Sequence, residues 1–235
     1  MGRRVGWLLA ACFCFGCTAL EALPEDGKAS STAPIAKPGV AATTEESLRQ
    51  AAACLESGDD AGALPHLQAY LAEHPDHVVV RAHLGELLLR LHKQNEAQKE
   101  FERYLSDAAT QGEAACRHVI HSHTRLAEIA RDHGNGYEER LHRGIGLYLL
   151  ARQVAGAGEK EDEPDPESLL FKAIKQLEQA AKEGPQEARP HWYLYLAWSQ
   201  LGQMHPAHTN LEQARKLAEQ SDLPLNEFAA LQAAR

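Results

Sequence analysis

Aromatic residues are scarce in this chain, and strand-forming residues are scattered. Aromatic side chains make up 6% of the 235 residues, and valine, isoleucine and threonine nowhere gather into an alternating strand pattern. Alanine, leucine, glutamate and glutamine are common instead, and these residues lose little conformational freedom in a helix. Hydrophobic residues make up 44% of the chain, which is enough for a folded core. The composition predicts an all-α protein.

Basic clusters are missing as well. The formal net charge is −9, and no block of lysine and arginine interrupts this acidic balance. A protein that binds nucleic acid without sequence preference needs such a block to neutralise phosphates. We therefore expect no nucleic-acid partner.

Motifs of known catalytic sites are also absent from the sequence. There is no Gly-x-Ser-x-Gly elbow, no phosphate-binding glycine-rich loop and no cysteine beside a glycine-rich turn. The acidic residues of 159–167 follow no fixed spacing, so they predict a solvated linker rather than a pair of catalytic carboxylates. We expect neither enzymatic activity nor a cofactor.

Four histidines in one segment form the strongest pattern for a metal site. His118 and His121 are three residues apart and would share a helix face, with His123 and His133 close by. Imidazole pairs of this kind can bind zinc or copper. No His-Glu-x-x-His pattern follows, however, so the spacing favours partly exposed surface histidines, and we predict no metal site.

The first 17 residues are typical of an export signal. Arg3 and Arg4 form a short positive start, and the apolar stretch at 5–16 is shorter than the roughly 20 residues that cross a bilayer as a helix. Beyond this segment only Cys54 and Cys116 remain. Two cysteines do not make a disulfide framework, so we expect buried free thiols.

The end of this segment resembles the lipoprotein box of bacteria, in which small residues precede a cysteine that becomes lipidated. Cys17 lies at the right distance from the positive start and precedes a polar stretch. Cys12 follows Leu9-Ala10-Ala11, which matches the box, but it leaves a short apolar run. We favour lipidation of Cys17, with Cys12 as the alternative. Ordinary cleavage near Ala19 without a lipid also stays open.

The lipoprotein resemblance implies a location in the cell envelope. Thr18 is not the aspartate associated with retention in the inner membrane, so the implied site is the outer membrane, facing the periplasm. A soluble periplasmic or secreted protein is the alternative. Residues 18–43 are rich in serine, threonine, alanine, proline and glycine and have no periodic apolar face, which predicts a flexible tether.

An internal repeat of 34 residues runs through the rest of the chain. Residues of like size recur at this spacing in two regions: Ala51 and Gly85, Ala63 and Ala97, Leu67 and Phe101, Tyr70 and Tyr104, then Ala173 and Ala207, Leu177 and Leu211, Ala180 and Ala214. We interpret each unit as two antiparallel helices, in which small residues allow close approach and larger residues fill the space between units. One unit cannot bury its apolar face alone, so units stack.

These matches resemble the tetratricopeptide repeat family from about Thr44 to the end of the chain. The resemblance implies an antiparallel helix-pair solenoid, wound as a right-handed superhelix, with a concave groove lined by the first helix of each unit. Such domains bind peptides or other proteins. Carrying the family's groove pattern onto this chain gives Glu86, Arg90, His121, Glu128, Arg131, Arg189, Trp192 and Ser199. For Trp192, packing between the last units is an equally good reading.

The repeat phase is interrupted in the middle of the chain. We expect two regular units at 44–111, a divergent helix pair at 112–155 with Glu139 in place of alanine, and an acidic loop at 156–166. Repeat-like helices at 167–221 and a terminal capping helix at 222–235 follow, the latter with Ser221 or Asp222 as its N-cap. The phase calls for a first helix at the acidic loop. Either the helix at 137–154 takes that role, or the solenoid is interrupted.

Together these features predict a non-catalytic scaffold of the bacterial cell envelope that binds a peptide or protein in a groove. An accessory lipoprotein subunit of an envelope secretion or assembly machine is the alternative. A histidine-dependent metal-binding protein is a third possibility, with less support from the sequence.

Overall fold

The computed structural model describes residues 38–110, 117–157, 164–221 and 223–234. These residues form ten helices and no strand. The all-α prediction is therefore confirmed. The helices are α1 Pro38–Ser57, α2 Asp60–Glu73, α3 Val78–Arg90, α4 Gln94–Thr110, α5 Arg117–Asp132, α6 Gly136–Ala157, α7 Pro166–Glu183, α8 Ala188–Gln200, α9 Met204–Leu217 and α10 Leu225–Ala233. The predicted signal segment, Cys12, Cys17 and most of the predicted tether lie outside the described residues.

Four helix pairs are joined by the same kind of tight turn: α1–α2, α3–α4, α5–α6 and α8–α9. In each turn one residue has a left-handed backbone conformation, namely Gly58 (φ +78°), His92 (φ +58°), Gly134 (φ +72°) and Gly202 (φ +70°). The amide of the following residue donates to the carbonyl five residues back, at N···O distances of 2.8–3.0 Å. This is the Schellman arrangement, in which glycine commonly ends a helix. The turn reverses the chain, so the helices of a pair pack side by side.

Small residues occupy the positions where paired helices approach most closely. Ala63, Ala97, Ala173 and Ala207 are fully buried. At Gly85 a Cβ atom would lie 2.8 Å from the Phe101 ring, which is too close for an ordinary contact. The 34-residue matches therefore mark equivalent packing positions, and the helix-pair solenoid that they predicted is what the structure has.

Helix α6 belongs to two helix pairs. It packs against α5 on one side and against α7 on the other, and it also contacts α8, as α3 contacts α5. A Cβ atom at Gly144 would lie 2.6 Å from Leu177 Cγ, and Leu177 is the repeat equivalent of Phe101. The close packing of Gly144 on Leu177 is thus equivalent to that of Gly85 on Phe101. Of the two alternatives, the helix predicted at 137–154 takes the first-helix role for α7.

Several boundaries differ from the predicted ones. Helix α1 begins at Pro38 rather than at Thr44, because proline suits the first turn and alanines follow it. Helix α6 continues to Ala157, into the predicted acidic loop. The Ser221 hydroxyl accepts from the Ala188 amide at 3.1 Å instead of capping α10, and Asp222 lies outside the described residues. Across the described ranges, no helix is both long enough and apolar enough to span a membrane.

Candidate partner-binding surface

Glu86 on α3 is the centre of a charged network that crosses to α5. Its carboxylate accepts from His121 Nε2 at 2.8 Å and from Arg125 Nε and Nη2 at 2.9 and 3.1 Å. Arg125 Nη1 also donates to Glu128 Oε2 at 2.8 Å. We call Glu86, His121, Arg125 and Glu128 the α3–α5 network. Three of its members were predicted from the sequence, and the structure brings them together.

The network sets the charge state of Glu86. Burial on its own would raise the pKa of this carboxyl, but hydrogen bonds from His121 and Arg125, with the charges of both, hold the pKa below its usual value. Glu86 is therefore ionised at neutral pH. Its charge is fixed in position by donors on the neighbouring helix.

Two more histidines lie beside the network. The rings of His83 on α3 and His118 on α5 meet edge to face, with centroids 5.6 Å apart. Burial lowers the pKa of His83, and the neighbouring His118 lowers it further. Among the described residues, no group of three or more histidine, cysteine, aspartate or glutamate side chains is placed to hold a metal ion.

A cavity of about 250 Å³ opens between α5 and α6 and shares Glu128 with the network. Its other lining residues are Ile120, Thr124, Ala127, Arg131, His142, Arg143, Gly146, Leu147 and Leu150. We call it the α5–α6 cavity. Three of its aliphatic side chains, on Ile120, Leu147 and Leu150, are partly exposed. The cavity and the network form one continuous stretch of surface.

A buried histidine pair fixes α5 against α6 at this cavity. His123 Nδ1 and His142 Nδ1 are 2.9 Å apart, and both residues are buried. One ring must donate from Nδ1–H and the other must accept through an unprotonated Nδ1, and with both pKa values lowered the two rings are neutral and in opposite tautomers. Burial, with a contribution from the charge of Arg189, lowers the pKa of His142 to about 3 and that of His123 well below its usual value.

Two other predicted residues lie at the edges of this surface. Arg90 at the end of α3 binds Asp60 of α2 through two hydrogen bonds, at 2.7 and 2.8 Å. Arg131 is largely exposed and lies 3.2 Å from Asp132, its neighbour in sequence. The exposed Arg131–Asp132 pair contributes little to stability, whereas the Arg90–Asp60 pair has the two-bond geometry of the stronger ion pairs.

The three predicted residues on α8 lie among side chains of the core and of the terminal helix α10. Arg189 donates to Glu227 of α10 through Nε and Nη2 at 2.9 and 2.7 Å, and Glu227 also accepts from the Tyr193 hydroxyl at 2.9 Å. Trp192 is 5% exposed and packs on Tyr195. The Ser199 hydroxyl is buried without a hydrogen-bond partner. The contact with Glu227 and the buried Ser199 hydroxyl do not favour a partner-facing role for Arg189 and Ser199. For Trp192 the burial supports the alternative of packing between the last units.

Sequence reasoning missed Arg125 and the α6 side of the surface. Arg125 lies three residues before Glu128 and four after His121, which is the spacing of side chains that share a helix face, so a signal for it was present. Arg143, Leu147 and Leu150 gave no such signal, because the role of α6 was open.

A tetratricopeptide repeat model matches residues 55–115 of this chain. The match runs from the end of α1 through the second helix pair. It agrees with the part of the sequence in which the 34-residue spacing is clearest. No curated protein sequence matches the chain.

Solved structures with a similar course of helices include tetratricopeptide repeat proteins. A structure titled as MamA protein is 15% identical and covers 78% of this chain and 99% of its own, with a TM-score of 0.39. PilW, described as a type IV pilus biogenesis factor, is 16% identical over 77% of this chain and 80% of its own, with a TM-score of 0.34. YrrB, described as a TPR protein with an unusual peptide-binding site, is 12% identical over 83% of this chain and 98% of its own, with a TM-score of 0.35. Likeness at this level says nothing about the function of this chain.

Proposed function

We propose that this chain is a non-catalytic scaffold that binds a peptide or another protein on the surface formed by α3, α5 and α6. The observation that carries the proposal is the α3–α5 network beside the α5–α6 cavity. Fixed charges and a partly exposed apolar concavity lie on one continuous surface, which is the composition of a protein interface. The charges are already oriented by neighbouring helices, so little ordering is needed on binding.

The charge states at this surface support binding rather than catalysis. A general base works best when its pKa lies near the working pH. The pKa of Glu86 is lowered away from that range, and its oxygens are occupied by His121 and Arg125.

The test places a photo-crosslinking residue at Thr124, which is exposed at the cavity. The matched control places it at Arg103, which is exposed on α4 and paired with Asp107 across one helical turn. We expect a discrete crosslinked partner from position 124 and none of the same mass from position 103. The crosslink should be lost in a Glu128→Lys, Arg131→Glu variant that retains the unfolding midpoint of the parent. Identical products from both positions would contradict the proposal.

We also propose that the chain is exported and lipidated at Cys17. The support is the sequence pattern of residues 1–17, with a positive start, an apolar stretch and a cysteine directly after a glycine. The mass of the mature N-terminus tests this: a lipid-modified Cys17 is expected, and an unmodified start at Ala19 or Leu20 would refute it. The same surface would serve an accessory subunit of an envelope machine, and the identity of the crosslinked partner distinguishes that alternative from a general scaffold.

A further inference from the structure

The lining of the α5–α6 cavity includes both aliphatic side chains and guanidinium groups. Ile120, Leu147 and Leu150 form the aliphatic part and are partly exposed. Gly146 adds no side chain there, and a Cβ atom at this position would be in ordinary contact with His123, 3.5 Å from its Cβ. The cavity as a whole has a volume of about 250 Å³, which accommodates a single large apolar side chain but no folded element.

Two other lining residues, Arg131 and Arg143, have guanidinium N–H donors that are not used within the protein. The side chains of Arg131 and Arg143 are 55% and 41% exposed. Arg131 Nε and Nη2 both donate to Asp132 Oδ1, at 3.4 and 3.2 Å. Arg143 Nη2 lies 2.9 Å from Glu139 Oε1. Each guanidinium has five N–H donors, so several remain.

Arg131 and Arg143 each have one carboxylate partner, Asp132 and Glu139. Glu128, the carboxylate in the cavity lining, is bonded to Arg125. The unused N–H donors of the two arginines, rather than an excess of positive charge, are therefore what a partner could bind. Guanidinium groups favour carboxylates, because their paired donors match the two oxygens.

We propose that the α5–α6 cavity binds one leucine- or phenylalanine-sized side chain of a partner polypeptide, with an aspartate or glutamate next to it in the partner's sequence. The apolar side chain packs against Ile120, Leu147 and Leu150, and the carboxylate accepts hydrogen bonds from Arg131 and Arg143. This inference rests on the proposed function, since it names the chemistry of the partner for the same surface.

The test uses a library of random dodecapeptides displayed on phage as the probe. Peptides are selected on the mature chain and depleted on a Thr124→Trp variant, in which the indole of this lining residue obstructs the cavity. Thr124 is exposed, so this variant should unfold at the same temperature as the parent. We expect the surviving peptides to share a large apolar residue beside an acidic residue.

A selected peptide is then compared with two derivatives, one with alanine at the apolar position and one with lysine at the acidic position. On the parent chain we expect each derivative to bind about tenfold more weakly. On an Arg131→Glu, Arg143→Glu variant the lysine derivative should bind better than the original peptide. Arg103→Glu, which removes an exposed arginine with a similar one-turn partner on α4, should change nothing.

Three results would overturn the inference: a library that yields no cavity-dependent peptide, selected peptides without the apolar–acidic pair, or a lysine derivative that is not rescued by the charge reversal. If the crosslink at Thr124 still forms in those cases, the proposed function stands and only the partner chemistry is wrong. If the crosslink fails as well, both fail.

Discussion

His92 has a left-handed backbone at the turn between α3 and α4, where the three equivalent turns have glycine. A side chain in this conformation costs about 1–2 kcal/mol, although histidine tolerates it better than most residues. Glycine avoids that cost but loses more freedom on folding, by about 0.5–1 kcal/mol. We expect His92→Gly to raise the free energy of unfolding by about 0.5 kcal/mol, measured by urea denaturation. His92→Ala removes the same ring but keeps a side chain at this position, so it should not raise the free energy of unfolding. Equal results for the two variants would contradict the backbone explanation.

The pair of His123 and His142 makes stability depend on pH. In the native state the pKa of His142 lies near 3, while in the unfolded state it is near 6.5. Between these values the unfolded chain binds a proton that the native chain does not. The stability from the neutral pair is complete above pH 6.5 and is lost as the pH falls toward 3.

Between pH 6.5 and 5, His142 alone should therefore cost about 1.5 kcal/mol of unfolding free energy. Denaturant unfolding at a series of pH values measures this slope. A His123→Asn, His142→Asn variant should show a much flatter slope in that window, since an amide pair can hydrogen-bond without titrating. His205→Asn, on the exposed surface, should keep the parent slope. A parent slope that survives in the double variant would rule out the pair as its source.

Helix α6 departs from the repeat pattern, and the absence of a side chain at Gly144 allows it to pack closely on α7. A Cβ atom there would lie 2.6 Å from Leu177 Cγ. We expect Gly144→Ala to lower the free energy of unfolding by about 1–3 kcal/mol through overpacking. On the same helix, a Cβ atom added at Gly156 would meet nothing within 4 Å, so Gly156→Ala should be stabilising by up to about 0.5 kcal/mol.

The Gly144 effect can be traced to Leu177 by a double-mutant cycle. If the clash is the cause, Gly144→Ala combined with Leu177→Ala should be less destabilising than the sum of the single variants, by at least about 0.5 kcal/mol. Thermal unfolding of all three variants gives this difference. If the two destabilising effects were strictly additive, the added methyl group would act through contacts other than the one with Leu177.

The same helix shows where sequence reasoning succeeds and where it stops. The 34-residue matches predicted the pairs around Ala63, Ala97 and Ala207, because close helix packing needs a small residue at a fixed place. At α6 that logic left two alternatives open, because Gly144 serves a pairing with α7 that lies across an acidic connection in the sequence. The α3–α5 network was largely predictable from Glu86 and His121.

Across the whole molecule, the charged contacts of α10 were not predictable, because they join residues distant in sequence. Arg189 was predicted as a groove residue, but Glu227 of the terminal helix binds it. Burial would lower the pKa of Arg189, yet the charge and hydrogen bonds of Glu227 keep it above the usual value. Burial and the charge of Glu227 together raise the pKa of Tyr193. This cluster attaches the terminal helix to the stacked helices before it.

We expect Glu227→Gln to lower the free energy of unfolding by about 2–4 kcal/mol, because Arg189 then keeps its charge without a carboxylate. Hydrogen exchange measured by mass spectrometry should show faster exchange in residues 225–233 and unchanged exchange in α2. Glu219→Gln, at an exposed position near the end of α9, is the control and should leave both regions as they are. Faster exchange throughout the chain would indicate general unfolding rather than release of α10.

Because α6 packs against both α5 and α7, it also limits where this chain can be divided. A stack of separate helix pairs can be cut, lengthened or shortened at any joint between pairs, because each piece keeps a complete interface. The pair α3–α4 begins and ends at such joints, so a copy of residues 78–110 could be inserted after it with like neighbours on both sides. No joint beside α6 has this property, since a cut on either side leaves α5 or α7 without the helix that covers it. We therefore expect α5, α6 and α7 to be gained or lost only together.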